Sequence, residues 1–402
     1  MTGDSPRSLR VLMLNNEFPP LGGGTGTVNR ILLQHFSRVP WMEIDLVTSA
    51  LGREYEEEQL AERIRIYKVP VGNRNIHHSS NRELLTYAWR ALLRARTEQQ
   101  AQDYDVCFAW SAVPAGGVAL ALRRLTGLRY LVRVSGPDIP GFERRYRWLY
   151  PLLTPVVRAV WHGADTVIAK CVGEAEMIRA VDGTVHVTLV PNGVDTTFFQ
   201  PGDHRSDNGP LRILCVGRLV ARKGQHHLIE AVKRLADTGM DVRLELVGTG
   251  DAVGQYRKLA ARLGVEGRVE FAGYVPREAM PARYASAHVF ALPSYNEGMS
   301  VATLEAMAAG LPLVVTRTGG TTELVEHGVN GLTLEWADVE MLVSHIRCLA
   351  NDRALAQSMG SRSRERAASM TWDDAADRYL ELFRCTRQHA AAPCVSQPAG
   401  RR

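Results

Sequence analysis

Short apolar runs alternate with stretches of helical period along most of the chain. Leu9 to Leu14 reads as a strand, and Thr27 to Ser37 follows as a helix with Val28, Ile31, Leu32 and Phe36 on one face. Glu43 to Thr48 is a second strand. Glu83 to Arg96 has Leu84, Leu85, Ala88, Leu92 and Leu93 on an apolar face and predicts a packed surface helix. Tyr104 to Ala109 and Leu128 to Val134 read as buried strands, with a helix around Gly117 to Leu125 between them, and Ala164 to Ala169 is another strand. The stretch from Gln200 to Pro210 is polar and rich in turn formers, as a linker is. Beyond it the rhythm restarts with the strand Arg212 to Val216, the helix Gln225 to Leu235, and further strands at 242–247, 269–271, 289–292 and 313–316. Helices around 341–350, 353–368 and 372–383 follow, and a tail with repeated Ala and Pro has the composition of a disordered segment. Strand and helix alternating in this way predict an α/β protein of two doubly wound parallel sheets. The boundaries fall at 1–200, a linker at 201–210, a second domain at 211–370, a last helix at 371–387 and a tail at 388–402.

One stretch carries the most specific local chemistry. Val289 to Leu292 suits a short buried strand, Pro293 to Met299 is turn chemistry, and Ser300 caps a helix that ends near Ala309, with Gly310 and Pro312 barring its continuation. Leu313 to Thr316 is the next strand, so the unit is a parallel crossover. The loop after its first strand lies at the carboxyl edge of the sheet, beside a helix amino terminus whose N–H groups attract phosphate. Glu297 lies in that loop and Glu305 in the helix. For a sugar joined through a diphosphate to a nucleoside, Glu297 meets sugar hydroxyls and Glu305 takes both ribose hydroxyls. Taken singly, each glutamate also reads as an ordinary solvated residue.

Other loops converge on the same edge. Gly217 and Arg218 end the strand at 212–216, Lys223 follows, and Gly248 ends the strand at 242–247. Two cations suit a diphosphate, and glycines let backbone N–H groups approach it. The turn Gly22-Gly23-Gly24-Thr25-Gly26 after the first strand suits a phosphate or a dinucleotide. Its spacing is not Gly-x-Gly-x-x-Gly, and no acid clearly ends the second strand.

The composition adds little but excludes much. At 402 residues, 45% hydrophobic and 23% charged, the chain has room for two cores. No apolar run is long enough to span a bilayer, and Met1 to Arg10 lacks the apolar centre of a signal peptide, so a cytoplasmic protein is expected. The six cysteines have no metal-ligand spacing and read as thiols in a reducing compartment. A net charge of +5 favours anionic ligands or an anionic membrane, while the absence of a basic run with interleaved aromatics argues against nucleic acid. Between Glu143 and Trp161, Arg144, Arg145, Arg147 and Arg158 mix with Tyr146, Trp148, Tyr150 and Trp161. Such a stretch can lie on an anionic membrane. The simpler reading is a helix with its aromatics in the core and its arginines in water.

Glu297-Gly298, then Leu304-Glu305-Ala306-Met307-Ala308, Gly310, Pro312, Gly319-Gly320 and Glu323 together resemble the signature of glycosyltransferase family 4. Gly217-Arg218-Leu219 with Lys223-Gly224, Phe18-Pro19-Pro20 before the glycine turn, and Pro191-Asn192-Gly193 extend the resemblance over most of the chain. It implies the GT-B architecture, two Rossmann-like domains facing across a cleft, with an acceptor-side first domain, a nucleotide-sugar-binding second domain and a last helix crossing back to the first. It also implies a retaining glycosyltransferase. Arg218, Lys223 and Glu297 are then the catalytic candidates. Gly23, Gly24, Gly217, Gly248, Gly298, Met299, Ser300 and Glu305 join them in donor binding. Ser135 and Asp138 are the acceptor-side candidates; Ser135 stands where many relatives have histidine. The expectation is a nucleotide-sugar co-substrate, no metal and no cofactor, an acceptor that is a glycan, a glycolipid or a small molecule, and peripheral contact at the inner membrane face. A sugar phosphorylase or sugar-nucleotide epimerase on the same fold, an idle sugar-nucleotide binding module and a nicotinamide-dependent oxidoreductase are the alternatives.

Overall fold

The computed structural model describes residues 8–73, 79–202 and 209–388. The chain forms two compact units, one within Met1–Ala169, Ala175–Val190 and Asp373–Arg402, the other within Lys170–Glu174 and Pro191–Trp372. Most of the expected linker (203–208) and all but one residue of the expected disordered tail (389–402) lie outside the described residues.

The order along the first part of the chain is β1 (Leu9–Leu14), α1 (Gly24–Phe36), β2 (Met42–Ala50), β3 (Glu56–Ala61), β4 (Ile64–Pro70), α2 (Asn81–Gln102), β5 (Val106–Trp110), α3 (Gly117–Thr126), β6 (Tyr130–Arg133), α4 (Tyr150–Gly163), β7 (Thr166–Ala169), α5 (Val172–Val181) and β8 (Val187–Leu189). Its sheet has the order β3-β4-β2-β1-β5-β6-β7-β8. All neighbours pair in parallel except β3 with β4, a hairpin edge that the hydrophobic pattern did not predict. The edge strand β3 reads Glu-Glu-Glu-Gln-Leu-Ala, polar on both faces, and therefore carries no strand-like alternation.

The second part runs β9 (Leu211–Val216), α6 (Gln225–Asp237), β10 (Val242–Val247), α7 (Val253–Arg262), β11 (Val269–Gly273), α8 (Met280–Ser286), β12 (Val289–Leu292), α9 (Val301–Ala308), β13 (Leu313–Thr316), α10 (Thr321–Leu324), β14 (Gly331–Leu334), α11 (Val339–Asn351), α12 (Arg353–Ala368) and α13 (Trp372–Gln388). The six strands β9 to β14 form an all-parallel sheet in the order β11-β10-β9-β12-β13-β14. All four residues of β12 and of β13 are buried, as strands covered by helices on both faces must be. The fold class expected from the alternation, two doubly wound parallel sheets, is the one observed.

Each sheet reverses its order at its first strand. β1 lies between β2 and β5, and β9 lies between β10 and β12. At such a reversal the crossovers leave to opposite faces and open a crevice at the carboxyl ends of the strands. That places the loops after β1, β9 and β12 where a ligand is received.

From α13, Tyr379 and Phe383 pack in the first unit: the Phe383 ring lies 5.2 Å from Phe108 and 5.9 Å from Phe36, and the buried Arg133 donates from Nε to the Tyr379 hydroxyl at 2.8 Å.

α2 buries only part of the face its leucines predict: Ala88 and Leu92 pack half-buried against the core. Its buried residues are Glu83, Tyr87, Ala91, Ala95 and Glu98, while Leu85 and Leu93 are 73% and 50% exposed. The small side chains of Ala91 and Ala95 allow close approach to the sheet, and Tyr87 donates its hydroxyl to the Val47 carbonyl at 2.9 Å. Close packing on alanines therefore outweighs the larger apolar stripe. In α4 the expected burial of the aromatics holds for Tyr150 and Trp161, whereas Trp148, just before the helix, is 78% exposed.

Candidate functional site

The crevice of the second sheet brings Lys223 and Glu297 together. Lys223 ends the short turn after β9, and Gly224 follows with φ 70°, where an added Cβ would lie 2.0 Å from the Pro293 carbonyl oxygen. Only glycine allows the two loops to meet this closely. Lys223 Nζ then donates to Glu297 Oε1 at 2.5 Å, and Arg222 Nη1 lies 3.7 Å from the same oxygen. Both side chains of the pair are nearly buried. Burial pushes the Glu297 carboxyl up, and the charges of Lys223 and Arg222 more than offset it, leaving the group below its usual range. Burial, aided by the neighbouring Arg222 and Arg218, lowers Lys223 against the pull of Glu297. An ammonium has three donors, so one spent on Glu297 leaves two for a second anion.

Arg218 follows β9 on the same edge, half-buried, and Gln225 donates to its carbonyl at 2.9 Å. Gly217 and Gly248 lie at the ends of adjoining strands; Gly217 N donates to the Val247 carbonyl at 2.9 Å. Ser300 caps α9, its Oγ accepting from Thr303 N at 3.3 Å. Met299 is buried, and Asn192 donates to both its Sδ (3.2 Å) and its carbonyl (3.1 Å). At Gly298 a Cβ would meet Glu174 Oε1 at 2.3 Å, so this glycine serves the packing of residues 170–174 against the loop.

Glu305 is one turn into α9 and 8% exposed. Tyr284 on α8 donates to its Oε2 at 2.8 Å, and Arg277, from the loop after β11, reaches Oε1 at 3.3 Å. Burial raises its carboxyl to about 6, against the opposing pull of Arg277 and Tyr284. Sequence reasoning missed both partners. Arg277 had a signal, since it follows the Gly273-Tyr274 loop on the same sheet edge; Tyr284 on a seven-residue helix had none.

The remaining candidates belong to the first unit. Gly23 precedes α1 and donates its N–H to Glu17 Oε2 at 3.4 Å, while Gly24 is the first helical residue and not part of the preceding turn. Asp138 is buried, its Oδ2 accepting from Ala112 N at 2.6 Å and its Oδ1 from Ser135 N at 2.8 Å. It thereby braces the loop after β6 against the segment after β5. The Ser135 hydroxyl is buried and has no partner among the described residues. Also among the described residues, no group of three or more His, Cys, Asp or Glu is placed to hold a metal ion, and no helix is long and apolar enough to cross a membrane.

Two family models match the chain. One described as a glycosyl transferase 4-like domain covers residues 23–193, and one described as glycosyl transferases group 1 covers 197–366. A GDP-mannose-dependent alpha-(1-6)-phosphatidylinositol monomannoside mannosyltransferase of Mycobacterium tuberculosis is 28% identical over 93% of this chain and 98% of its own. A D-inositol 3-phosphate glycosyltransferase of Corynebacterium urealyticum is 26% identical over 98% and 99%. Among solved structures, a sucrose-phosphate synthase from Thermosynechococcus elongatus superimposes with a TM-score of 0.85 at 21% identity, over 94% of this chain and 98% of that one. The Anabaena protein HepE in complex with UDP-glucose gives 0.76 at 20% identity, over 94% and 100%.

Proposed function

Because the chain belongs to the glycosyl transferases group 1 family, we propose that it moves a hexosyl unit from a nucleoside diphosphate sugar to an acceptor hydroxyl with retention at the anomeric carbon and without a metal ion. The observation that carries this reading is the nearly buried Lys223–Glu297 pair at the strand-order reversal, with Arg218 on the same edge.

In this reading the second unit holds the donor and the first supplies the acceptor side. Glu305 accepts hydrogen bonds from the ribose hydroxyls, and Glu297, kept ionised by Lys223 and Arg222, accepts from the hydroxyls of the sugar. Amide N–H groups at Gly298, Met299 and Ser300 face the diphosphate, and Gly217 and Gly248, whose own N–H groups are spent on the Val247 and Gly273 carbonyls, leave it room. As the bond from the anomeric carbon to the β-phosphate oxygen breaks, negative charge grows on that oxygen. Arg218 and the free donors of Lys223 stabilise it more in the transition state than in the ground state. The acceptor oxygen bonds to the anomeric carbon on the face the phosphate leaves, and its proton passes to the departing phosphate oxygen. Asp138 serves this step by holding the loop that bears Ser135, with no direct contact to substrate.

The full-length mannosyltransferase relative makes GDP-mannose the first donor to test and an inositol-bearing glycolipid the first acceptor class. Such an acceptor places the enzyme at the inner membrane face. The test is turnover of GDP-, UDP- and ADP-sugars with and without a chelator, and the product's anomeric configuration read by NMR. An α-linked product from an α-linked donor, unchanged by chelation and lost in Lys223→Met, is expected. An inverted product or a chelator-sensitive rate overturns the mechanism.

A further inference from the structure

Helices α2, α3 and α4 cover one face of the first sheet and share one core, to which Tyr87 and Ala91, Val118 and Leu122, and Val157 and Trp161 contribute. α3 packs against α2 on one side and α4 on the other. Their outer faces are therefore presented together, away from the sheet. On α2 that face carries Leu85, Trp89 and Leu93, exposed by 73%, 64% and 50% and spaced by four residues. At α4 the same spacing recurs in Trp148, Leu152 and Val156, exposed by 78%, 74% and 45%, and Leu125 lies exposed at the end of α3 between them. Six large apolar side chains in two helical stripes, with Leu125 between them, exceed what scattered surface residues account for.

The charges on this layer have one sign. The carboxylates within α2, α3, α4 and residues 141–149 are Glu83, Glu98 and Glu143, and all three are buried. Glu83 closes the amino-terminal cap of α2, and Glu98 pairs with Arg94. The exposed charged side chains there are arginines: Arg82, Arg90 and Arg96 on α2, Arg124 on α3, and Arg144 and Arg147 before α4, while Arg158 on α4 turns to Asp182 at 3.6 Å. Arg147 lies over the Trp148 ring at 4.8 Å. Tryptophan with arginine above a leucine stripe is the composition that settles at the boundary between headgroups and acyl chains. A second copy of this chain would bring arginines against arginines, which disfavours self-association through this face.

We propose that the outer face of α2, α3 and α4 is a docking surface for an anionic phospholipid bilayer, with the two apolar stripes at headgroup depth and the arginines on the lipid phosphates. The inference is independent of the donor and of the sugar transferred. Binding requires both parts, because a basic patch alone is screened by salt and an apolar stripe of this size alone is weak.

The test is co-sedimentation of the full chain with phosphatidylcholine vesicles with and without phosphatidylglycerol, alongside tryptophan fluorescence. Expected are binding to the anionic vesicles with a blue-shifted emission, a loss at high salt, and little binding to phosphatidylcholine alone. Trp148→Ser with Leu152→Ser, and separately Trp89→Ser, should weaken binding. Arg144→Ser with Arg147→Ser should weaken it by about fivefold per arginine. All these positions are exposed, and circular dichroism and nucleotide-sugar binding should match the parent. Failure of the parent to bind anionic vesicles, unaltered binding by all the variants, or concentration-dependent self-association abolished by the same variants would each overturn the proposal.

Discussion

Glu305→Gln should make the protein more stable and worse at binding its donor. In the folded protein burial lifts the Glu305 carboxyl from 4.5 to about 6. A rise of ~1.5 units corresponds to about 2 kcal/mol at 1.36 kcal/mol per unit. The sign follows from linkage. A folded pKa above the unfolded one means the folded state holds the proton more tightly, so this group favours folding below about pH 4.5 and loses that contribution as pH rises through about 6. At neutral pH the parent therefore carries an ionised, buried carboxylate at a cost of about 2 kcal/mol, which a glutamine of the same shape avoids. Glutamine can accept from Arg277 through its oxygen while its NH2 donates to the Tyr284 hydroxyl, but it forfeits the charge-assisted bonds to ribose, about 1.5–3 kcal/mol, so donor affinity should fall by tenfold or more. Thermal unfolding of parent and variant between pH 4 and pH 8, with donor titration at neutral pH, tests this. The variant's melting temperature should exceed the parent's at neutral pH, by about 2–4 °C per kcal/mol, and the two should converge near pH 4. A variant less stable than the parent at neutral pH, or a gap that persists at pH 4, refutes the reasoning. So does undiminished donor affinity.

Lys223→Met removes the shorter of the two cation contacts of the buried Glu297 carboxylate, leaving Arg222 at 3.7 Å, and should destabilise by up to about 3 kcal/mol in denaturant unfolding; adding Glu297→Gln should restore most of the stability and none of the turnover. Tyr284→Phe removes a bond that holds the Glu305 pKa down, so the pH below which donor binding is lost should move upward, a shift read by titrating the donor across pH. Phe383→Ala empties a site between Phe36 and Phe108 and should cost about 3–5 kcal/mol, measured by chemical denaturation, with Phe383→Leu losing less.

The repeating alternation of β9 to β14 with their helices was legible because all-parallel strands are continuous apolar runs, as in β12 and β13. The cap at Ser300 and the stop at Gly310, which takes φ 66°, were legible for the same local reasons. The hairpin β3–β4 was not, because an exposed edge strand of glutamates has no apolar rhythm. Nor was the centre of the buried face of α2, where packing on Ala91 and Ala95 decides; Ala88 and Leu92 pack at its margin as expected, while Leu85 and Leu93 mislead. At the candidate site the spacing of Glu297 and Glu305 was visible, as were Arg218 and Lys223. Their chemistry was not. That Lys223 pairs with Glu297, that Asp138 accepts from Ala112 N, and that Tyr284 and Arg277 hold Glu305 depend on contacts between residues far apart in the chain.

The most direct test of the donor site is isothermal titration of GDP-mannose and UDP-glucose into the full chain, run beside Glu305→Gln and the double variant Lys223→Met, Glu297→Gln. Saturable binding of one nucleotide class, weakened at least tenfold by Glu305→Gln and abolished in the double variant, is the predicted result. Binding of neither donor, or binding that both variants retain in full, contradicts a nucleotide-sugar site at the β9–β12 reversal.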